Sequence, residues 1–279
     1  MYHFDWPLFW QYLWPGTALA NPLIRNGLIV TIMVSIIAQA LGVILGLFAA
    51  LGKMSKFAPF RWLGVAYPGV PLLVWMSEFN PIRWISDAYI WYFRGTPLLV
   101  QMSLLFFGLG VTHIYDFPDI HFWFMTVSGA IQAGTLALGV NEGAYMAEIV
   151  RAGIEAIDVG QMEAAKSLGM SYAQAMRRIV LPQALKVIIP PLGNEFNNMM
   201  KTTSIMVVIS AADLFYGYTQ VNARVFKPFE LFIDASLYYL ALTTIWSYVQ
   251  ARIEAGLGER KTQIKSVGMF ERMFAKGGH

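Results

Sequence analysis

The sequence predicts an all-α, polytopic membrane protein of about five transmembrane helices, and three observations carry that prediction. Apolar residues fill 57% of the 279 positions and charged residues only 13%, about half the charged share of an ordinary soluble domain. The apolar residues gather in runs too long for a soluble core helix. The clearest is 24–51, where about 20 residues would suffice to cross the hydrocarbon. Most Lys and Arg sit in short segments beside those runs, as in loops held on the cytoplasmic side. That bias accounts for the net charge of +3 and pI near 9.0, so no nucleic-acid partner is expected. Nine Trp, 13 Tyr and 19 Phe suit the two membrane–water interfaces. The absence of Cys excludes disulfides, thiolate metal sites and a cysteine nucleophile. His3, His113, His121 and His279 show no ligand spacing, and no metal is expected.

Taken in order, residues 1–21 hold Trp6, Trp10 and Trp14 with Pro7 and Pro15 and no Lys or Arg. They read as an interfacial segment, not a cleaved signal. The run 24–51 is the first span. Its Gly42 and Gly46 form a small-xxx-small pair that would admit a second helix closely, although glycine is common in membrane helices generally. Lys53, Lys56 and Arg61 mark a cytoplasmic loop and place the N-terminus outside.

The stretch 62–95 is broken by Pro68, Gly69 and Pro71 and contains a partial internal duplication. Pro59-Phe60-Arg61-Trp62 is echoed by Pro81-Ile82-Arg83-Trp84, and Gly69-Val70-Pro71-Leu72-Leu73-Val74 by Gly95-Thr96-Pro97-Leu98-Leu99-Val100. Further spans are expected at 98–111, kinked at Gly95–Pro97, at 122–147 with Asn141 and Glu142 near its inner end, at 187–210 and around 237–249. Residues 113–121 and 211–234 read as outer loops. The tail 251–279, with Arg252, Arg260, Lys261, Lys265, Arg272 and Lys276, is basic and therefore inside. Parity then requires 62–95 to leave and return to one side as an interfacial or re-entrant hairpin, giving five spans; a sixth is the alternative. The domain organisation is thus a segment 1–21, a transmembrane domain 22–250 and a cytoplasmic tail 251–279.

Residues 151–182 are the longest polar stretch in the body of the chain. Asp158 with Gln161, and Ser171 with Gln174, each have the form of a helix N-cap with a capping box. Gly169 stands where a left-handed C-cap belongs, and Pro182 marks the boundary before the next span. The segment reads as a helix–turn–helix on the inner membrane face. Periodicity alone leaves open an amphipathic helix that only anchors a loop.

The wording of that segment goes further. Glu163-Ala164-Ala165, then Gly169, then Ile179, Leu181 and Pro182 resemble the cytoplasmic EAA loop of type I ABC importer permeases. Arg94-Gly95-Thr96-Pro97-Leu98-Leu99-Val100-Gln101, Gly143 to Arg151, and Gly193-Asn194-Glu195-Phe196 with Lys201-Thr202-Thr203-Ser204 are similar to the polar amino acid branch, the histidine, glutamine, arginine and opine permeases. The matches cover most of 22–250, and a segment around 66–87 departs from the family pattern as an insertion.

The resemblance implies a MetI-like permease fold and no enzymatic activity in this chain. It also implies an importer in the bacterial cytoplasmic membrane in which Glu163, Ala164, Ala165, Ser167, Leu168 and Gly169 couple to a cytoplasmic ABC ATPase. ATP and magnesium would belong to that partner, since this chain has no G-x-x-x-x-G-K-[ST] loop. A second permease, identical or paralogous, and an external substrate-binding protein complete the expected assembly. An intramembrane charge is the place to look for substrate. Glu195, Asn194, Asn198 and Lys201, beside the Pro190-Pro191 break, are the candidates for a polar, cationic amino acid. Pairing of Glu195 with Lys201 or Arg151 is the structural alternative. Glu142 and Glu148 are expected to pair with Arg151 and Lys201. A secondary transporter or channel working without an ATPase is the rival class.

Overall fold

The computed structural model describes residues 3–122 and 126–257. Helix α1 (Trp6–Leu13) starts at Asp5, whose carboxylate accepts from the Leu8 amide at 3.1 Å. Trp6, Trp10 and Trp14 emerge from it as one exposed stripe, and a short α2 (Pro15–Ala18) follows. Helix α3 (Pro22–Lys53) is the one helix among the described residues that is by itself long and apolar enough to cross a membrane. Asn21 caps it, and Pro22, which has no amide proton to lose, opens its first turn.

Beyond α3 the chain folds back as two short helices, α4 (Arg61–Ala66) and α5 (Pro71–Glu78). At 6 and 8 residues they are about 9 and 12 Å long, far too short to span. Helix α6 (Pro81–Gly95) does not belong to that hairpin, which corrects the expectation for 62–95. It climbs along α3: Ser86 lies against Gly52, Ile90 packs with Ala49, and the Phe93 carbonyl accepts from Asn141. The chain then turns by 104° at Thr96–Pro97 into α7 (Leu98–Ser103), a π turn (Leu104–Gly108) and α8 (Leu109–Val111). Proline supplies no amide and disfavours helix in the residue before it, so the break sits where the sequence has it.

The span expected from 122 does not start there among the described residues, because Thr126 and Val127 belong to the loop that precedes the next helix. A two-residue antiparallel pair, β1 (Ile120–His121) with β2 (Thr126–Val127), closes that loop. Helix α9 (Gly129–Glu155) begins only at the Ser128 cap. It is the partner of α3, and glycines on both helices allow the contact. A Cβ on Gly42 would stand 2.6 Å from Glu142 Cγ, and one on Gly46 2.9 Å from the Ala147 amide nitrogen. Reciprocally, Gly139 faces Leu41 at 2.7 Å and Gly143 faces Leu45 at 2.8 Å. The small-xxx-small pair read in the sequence therefore meets a second such pair on its neighbour.

The polar segment folds as α10 (Val159–Ser167), α11 (Tyr172–Ala175) and a π turn (Met176–Val180) leading into α12 (Leu181–Thr202). Pro190 and Pro191 do not interrupt α12, which runs through them. The irregular stretch comes later, as a 3₁₀ run (Thr203–Ile209) ending at Ser210 with φ 57°. Residues 211–234 are mostly helical where the sequence reads as a loop. They form α13 (Leu214–Val225), capped by Asp213, and the first turns of α14 (Pro228–Gly256). Leu214, Tyr218 and Val221 bury one face against Ile24, Leu231 and Ala235, and Gly27 and Gly217 let α13 lie directly on the backbone of α3. Helix α14 extends beyond the expected 237–249 at both ends, and α1 is fastened to it by the Asp5 amide donating to Glu230 at 2.8 Å and Tyr238 donating to the Leu13 carbonyl at 3.2 Å. Of the basic tail, Arg252 lies in α14, while Arg260, Lys261, Lys265, Arg272 and Lys276 lie outside the described residues, as does His279.

Candidate functional site

Helices α9 and α12 present matching stripes to a shared cavity of about 280 Å³. Leu138, Asn141, Glu142 and Tyr145 line it from α9, and Glu195, Asn198, Met199 and Thr202 from α12. Each set follows the i, i+3, i+4, i+7 spacing of one helix face. Leu98 and Ile205 close the remaining sides. The cavity holds two carboxylates, and among the described residues no Lys or Arg lines it. Glu142 is 7% exposed, and its Oε1 has no hydrogen-bond partner. Glu195 makes no ion pair with Lys201, Arg151 or any other described residue. Burial beside a second carboxylate makes the charged form of Glu142 costly unless a partner answers it.

The break before α7 frames this cavity. Gln101 Nε2 donates to the carbonyls of Phe93 and Thr96, both at 3.0 Å, taking up acceptors that the interrupted helix leaves open. Asn141 Nδ2 donates to the same Phe93 carbonyl and to Gln101 Oε1, both at 2.9 Å. The last residue of the Arg-Gly-Thr-Pro-Leu-Leu-Val-Gln motif thus holds the bend, and the bend positions Leu98 at the cavity.

Of the residues singled out from sequence, Glu195 and Asn198 face this cavity and the other two do not. Asn194 turns to α14, where its Oδ1 accepts from Gln250 Nε2 at 3.2 Å. Lys201 lines a separate groove with Phe215, Tyr239 and Thr243. The two are seven residues apart and share a face of α12 distinct from the Glu195 stripe, so helical period alone separates them. Asn141, Glu142, Tyr145 and Thr202 are the polar cavity residues that sequence reasoning did not place there. Glu148 pairs with Arg151 at 2.8 Å as expected, and also with Lys53 at 2.7 Å; Glu142 pairs with neither Arg151 nor Lys201. Lys53 also reaches Asp87 at 3.4 Å, and Arg151 reaches Glu155 at 2.5 Å, so Lys53, Asp87, Glu148, Arg151 and Glu155 form one chain of ion pairs.

The second candidate element joins the two cavity helices. Asp158 caps α10, but its carboxylate accepts from the Gly160 amide at 2.7 Å and Gln161 does not reciprocate, so the first expected capping box is half formed. Ser171 and Gln174 form the second in full. Gly169 has φ +80°, with its amide donating to Lys166 and the Met170 amide to Ala165. Ala165 is buried against the segment's own second half, whereas Glu163, Ala164, Ser167 and Gly169 are exposed. Val159 and Leu168 are 70% and 82% exposed, an apolar pair left uncovered on a polar loop. Val150, Ile154, Val180, Ala184 and Ile188 pack α9 to α12 just beyond the cavity. Met162 of α10 packs against the same cluster.

Comparison with known proteins places this architecture. Residues 69–259 match the family model described as binding-protein-dependent transport system inner membrane component. The chain is 36% identical over 233 residues to a probable glutamine ABC transporter permease protein, GlnM, of Bacillus subtilis, covering 82% of this chain and 92% of the relative. It is 35% identical over 256 residues to the arginine transport system permease protein ArgU of Corynebacterium glutamicum, covering 90% and 71%. The crystal structure of an amino acid ABC transporter with histidines superposes with a TM-score of 0.69 at 37% identity, covering 86% of this chain and 96% of that one. The inward-facing MetNI methionine ABC transporter shares the fold, with a TM-score of 0.61 at 15% identity over 91% of this chain and 99% of that one.

Proposed function

The chain belongs to the family of binding-protein-dependent transport system inner membrane components, and we propose that it is the permease subunit of an ATP-binding-cassette importer for a cationic amino acid. The observation that carries the substrate class is that Glu142 and Glu195 share a cavity that no Lys or Arg among the described residues lines. Relatives are named for both glutamine and arginine. Two adjacent carboxylates with no Lys or Arg beside them among the described residues favour the charged substrate, because an entering cation would be the counter-ion of their charged form.

In this reading α10 docks on a cytoplasmic ATPase through Glu163, Ala164, Ser167 and Leu168, with Ala165 seated on its own chain and Gly169 shaping the exit. ATP and magnesium are handled by that subunit. The basic loop after α3 and the tail lie inside and α1 outside, with its tryptophan stripe in the headgroup region. A second permease and an external binding protein complete the importer. The chain's own contribution is mechanical and electrostatic. The α10 loop connects the two helices that carry the cavity, so closure of the ATPases moves the α9 and α12 stripes relative to each other and changes the side to which the cavity opens.

The test uses the complete importer in proteoliposomes. Glu142→Gln and Glu195→Gln each lower L-arginine uptake by about tenfold, the equivalent of about 1.4 kcal/mol of lost charge complementarity, and leave L-glutamine uptake within about twofold. Equal losses for the two substrates would reduce both residues to a structural role.

A further inference from the structure

A second space adjoins the acidic cavity on its Lys53 side. Its volume is about 600 Å³, and it is lined by Lys53, Asp87, Trp91, Arg94, Tyr145 and Glu148, among others. Tyr145 lines both spaces. It sits one turn beyond Glu142 on α9, and the Arg94 guanidinium lies over its ring, 5.3 Å from the centroid. The two cations of this second space differ in one respect. Lys53 is bonded to Glu148 and Asp87, whereas Arg94 makes no ion pair among the described residues and has only the Tyr145 ring as its partner. An aromatic face holds a guanidinium in place without neutralising it, so Arg94 keeps its fork of donors available for a carboxylate.

A cationic amino acid carries three charges of two signs. Glu142 and Glu195 suit its positive groups, but for its α-carboxylate the acidic cavity offers only neutral donors such as Asn198 and Tyr145 and, among the described residues, no cation. The side-chain cation and the carboxylate are separated by a stem of about three or four carbons, so a substrate anchored at Glu142 projects its other end beyond the cavity wall. Resting on the proposed import of a cationic amino acid, we propose that Arg94, presented by Tyr145, is the α-carboxylate recognition residue at the threshold between the two spaces. The bend at Thr96–Pro97, held by Gln101, delivers Arg94 to this position from the end of α6. Substrates with a free carboxylate are then distinguished from simple amines inside the membrane, independently of the binding protein.

Equilibrium binding to the purified permease–ATPase complex in nanodiscs, without the binding protein, tests this. The probes are radiolabelled L-arginine and, in competition, agmatine, which keeps the guanidinium and lacks the carboxylate. The wild-type complex prefers L-arginine. Arg94→Gln lowers L-arginine affinity by about tenfold, the scale of one charge-assisted hydrogen bond, and leaves agmatine affinity unchanged, which also reports that the variant is folded. Arg94→Lys restores part of the preference, because it returns the charge without the fork. If Arg94→Gln weakens both ligands equally, or neither, the assignment is overturned, while loss of both ligands in Glu142→Gln would leave the cavity reading standing. If the wild-type complex binds neither ligand, the cavity reading fails and takes this inference with it.

Discussion

Gly169→Val leaves the chain inserted and the complex assembled, but cuts import by about tenfold while ATP hydrolysis continues. Gly169 holds φ +80° with nothing within 4 Å of the position a Cβ would take, so the substitution meets no steric obstacle except in its own backbone. A left-handed conformation costs an L-residue about 1–2 kcal/mol, and a β-branched side chain is a poor occupant even by that standard. The turn from Leu168 to Met170 is what closes α10, through the bonds of Gly169 to Lys166 and Met170 to Ala165. Strain released there shifts α10 relative to α11, and the docked geometry is populated about tenfold less. Gly169→Asn, which tolerates the left-handed region, retains most of the import. Measuring uptake and ATPase rate on the same proteoliposomes separates uncoupling from simple loss of protein.

Gly46→Leu has the larger effect on stability. A Cβ at Gly46 would already stand 2.9 Å from the Ala147 nitrogen, and backbone cannot move aside as a flexible side chain can. Overpacking a close helix contact costs about 1–3 kcal/mol and at times more, against a total stability of about 5–15 kcal/mol. The α3–α9 contact also positions Glu142, whose Cγ faces Gly42. The expected result is loss of most monodisperse protein after detergent extraction. Gly256→Leu, at a position where nothing lies within 4 Å, serves as the control and extracts normally.

The parts of this structure legible in the sequence are those decided locally. The long apolar run gave α3, proline and glycine gave the bend before α7 and the turn at Gly169, and Ser171 with Gln174 gave a complete capping box. The illegible parts depend on which neighbour a residue meets. Helix α13 was hidden because Gln220, Asn222 and Arg224 alternate with its buried Leu214, Tyr218 and Val221, and polar composition there reads as loop. Pro190 and Pro191 suggest a break, yet packing on α14, where Gln250 donates to the Pro190 carbonyl at 3.2 Å and Trp246 to the Gly193 carbonyl at 2.8 Å, keeps the helix continuous. Glu142 has the same composition signal as Glu148, and only the packing of α9 against α3 and α12 sends one carboxylate to a cavity and the other to Lys53. The repeated spacing of 138, 141, 142, 145 and 195, 198, 199, 202 was available in the sequence. It could not be interpreted until the two helices were known to face each other.

ATP-driven import by this chain requires α10 to be an inner-face docking element for a separate ATPase. Because the chain contains no Cys, Leu168→Cys introduces a single thiol at the most exposed apolar position of that loop. In right-side-out vesicles it should resist a membrane-impermeant maleimide, and in inside-out vesicles it should react, with protection when the ATPase subunit is bound. Labelling from the outside, or reaction from the inside that the ATPase leaves unchanged, would contradict the account.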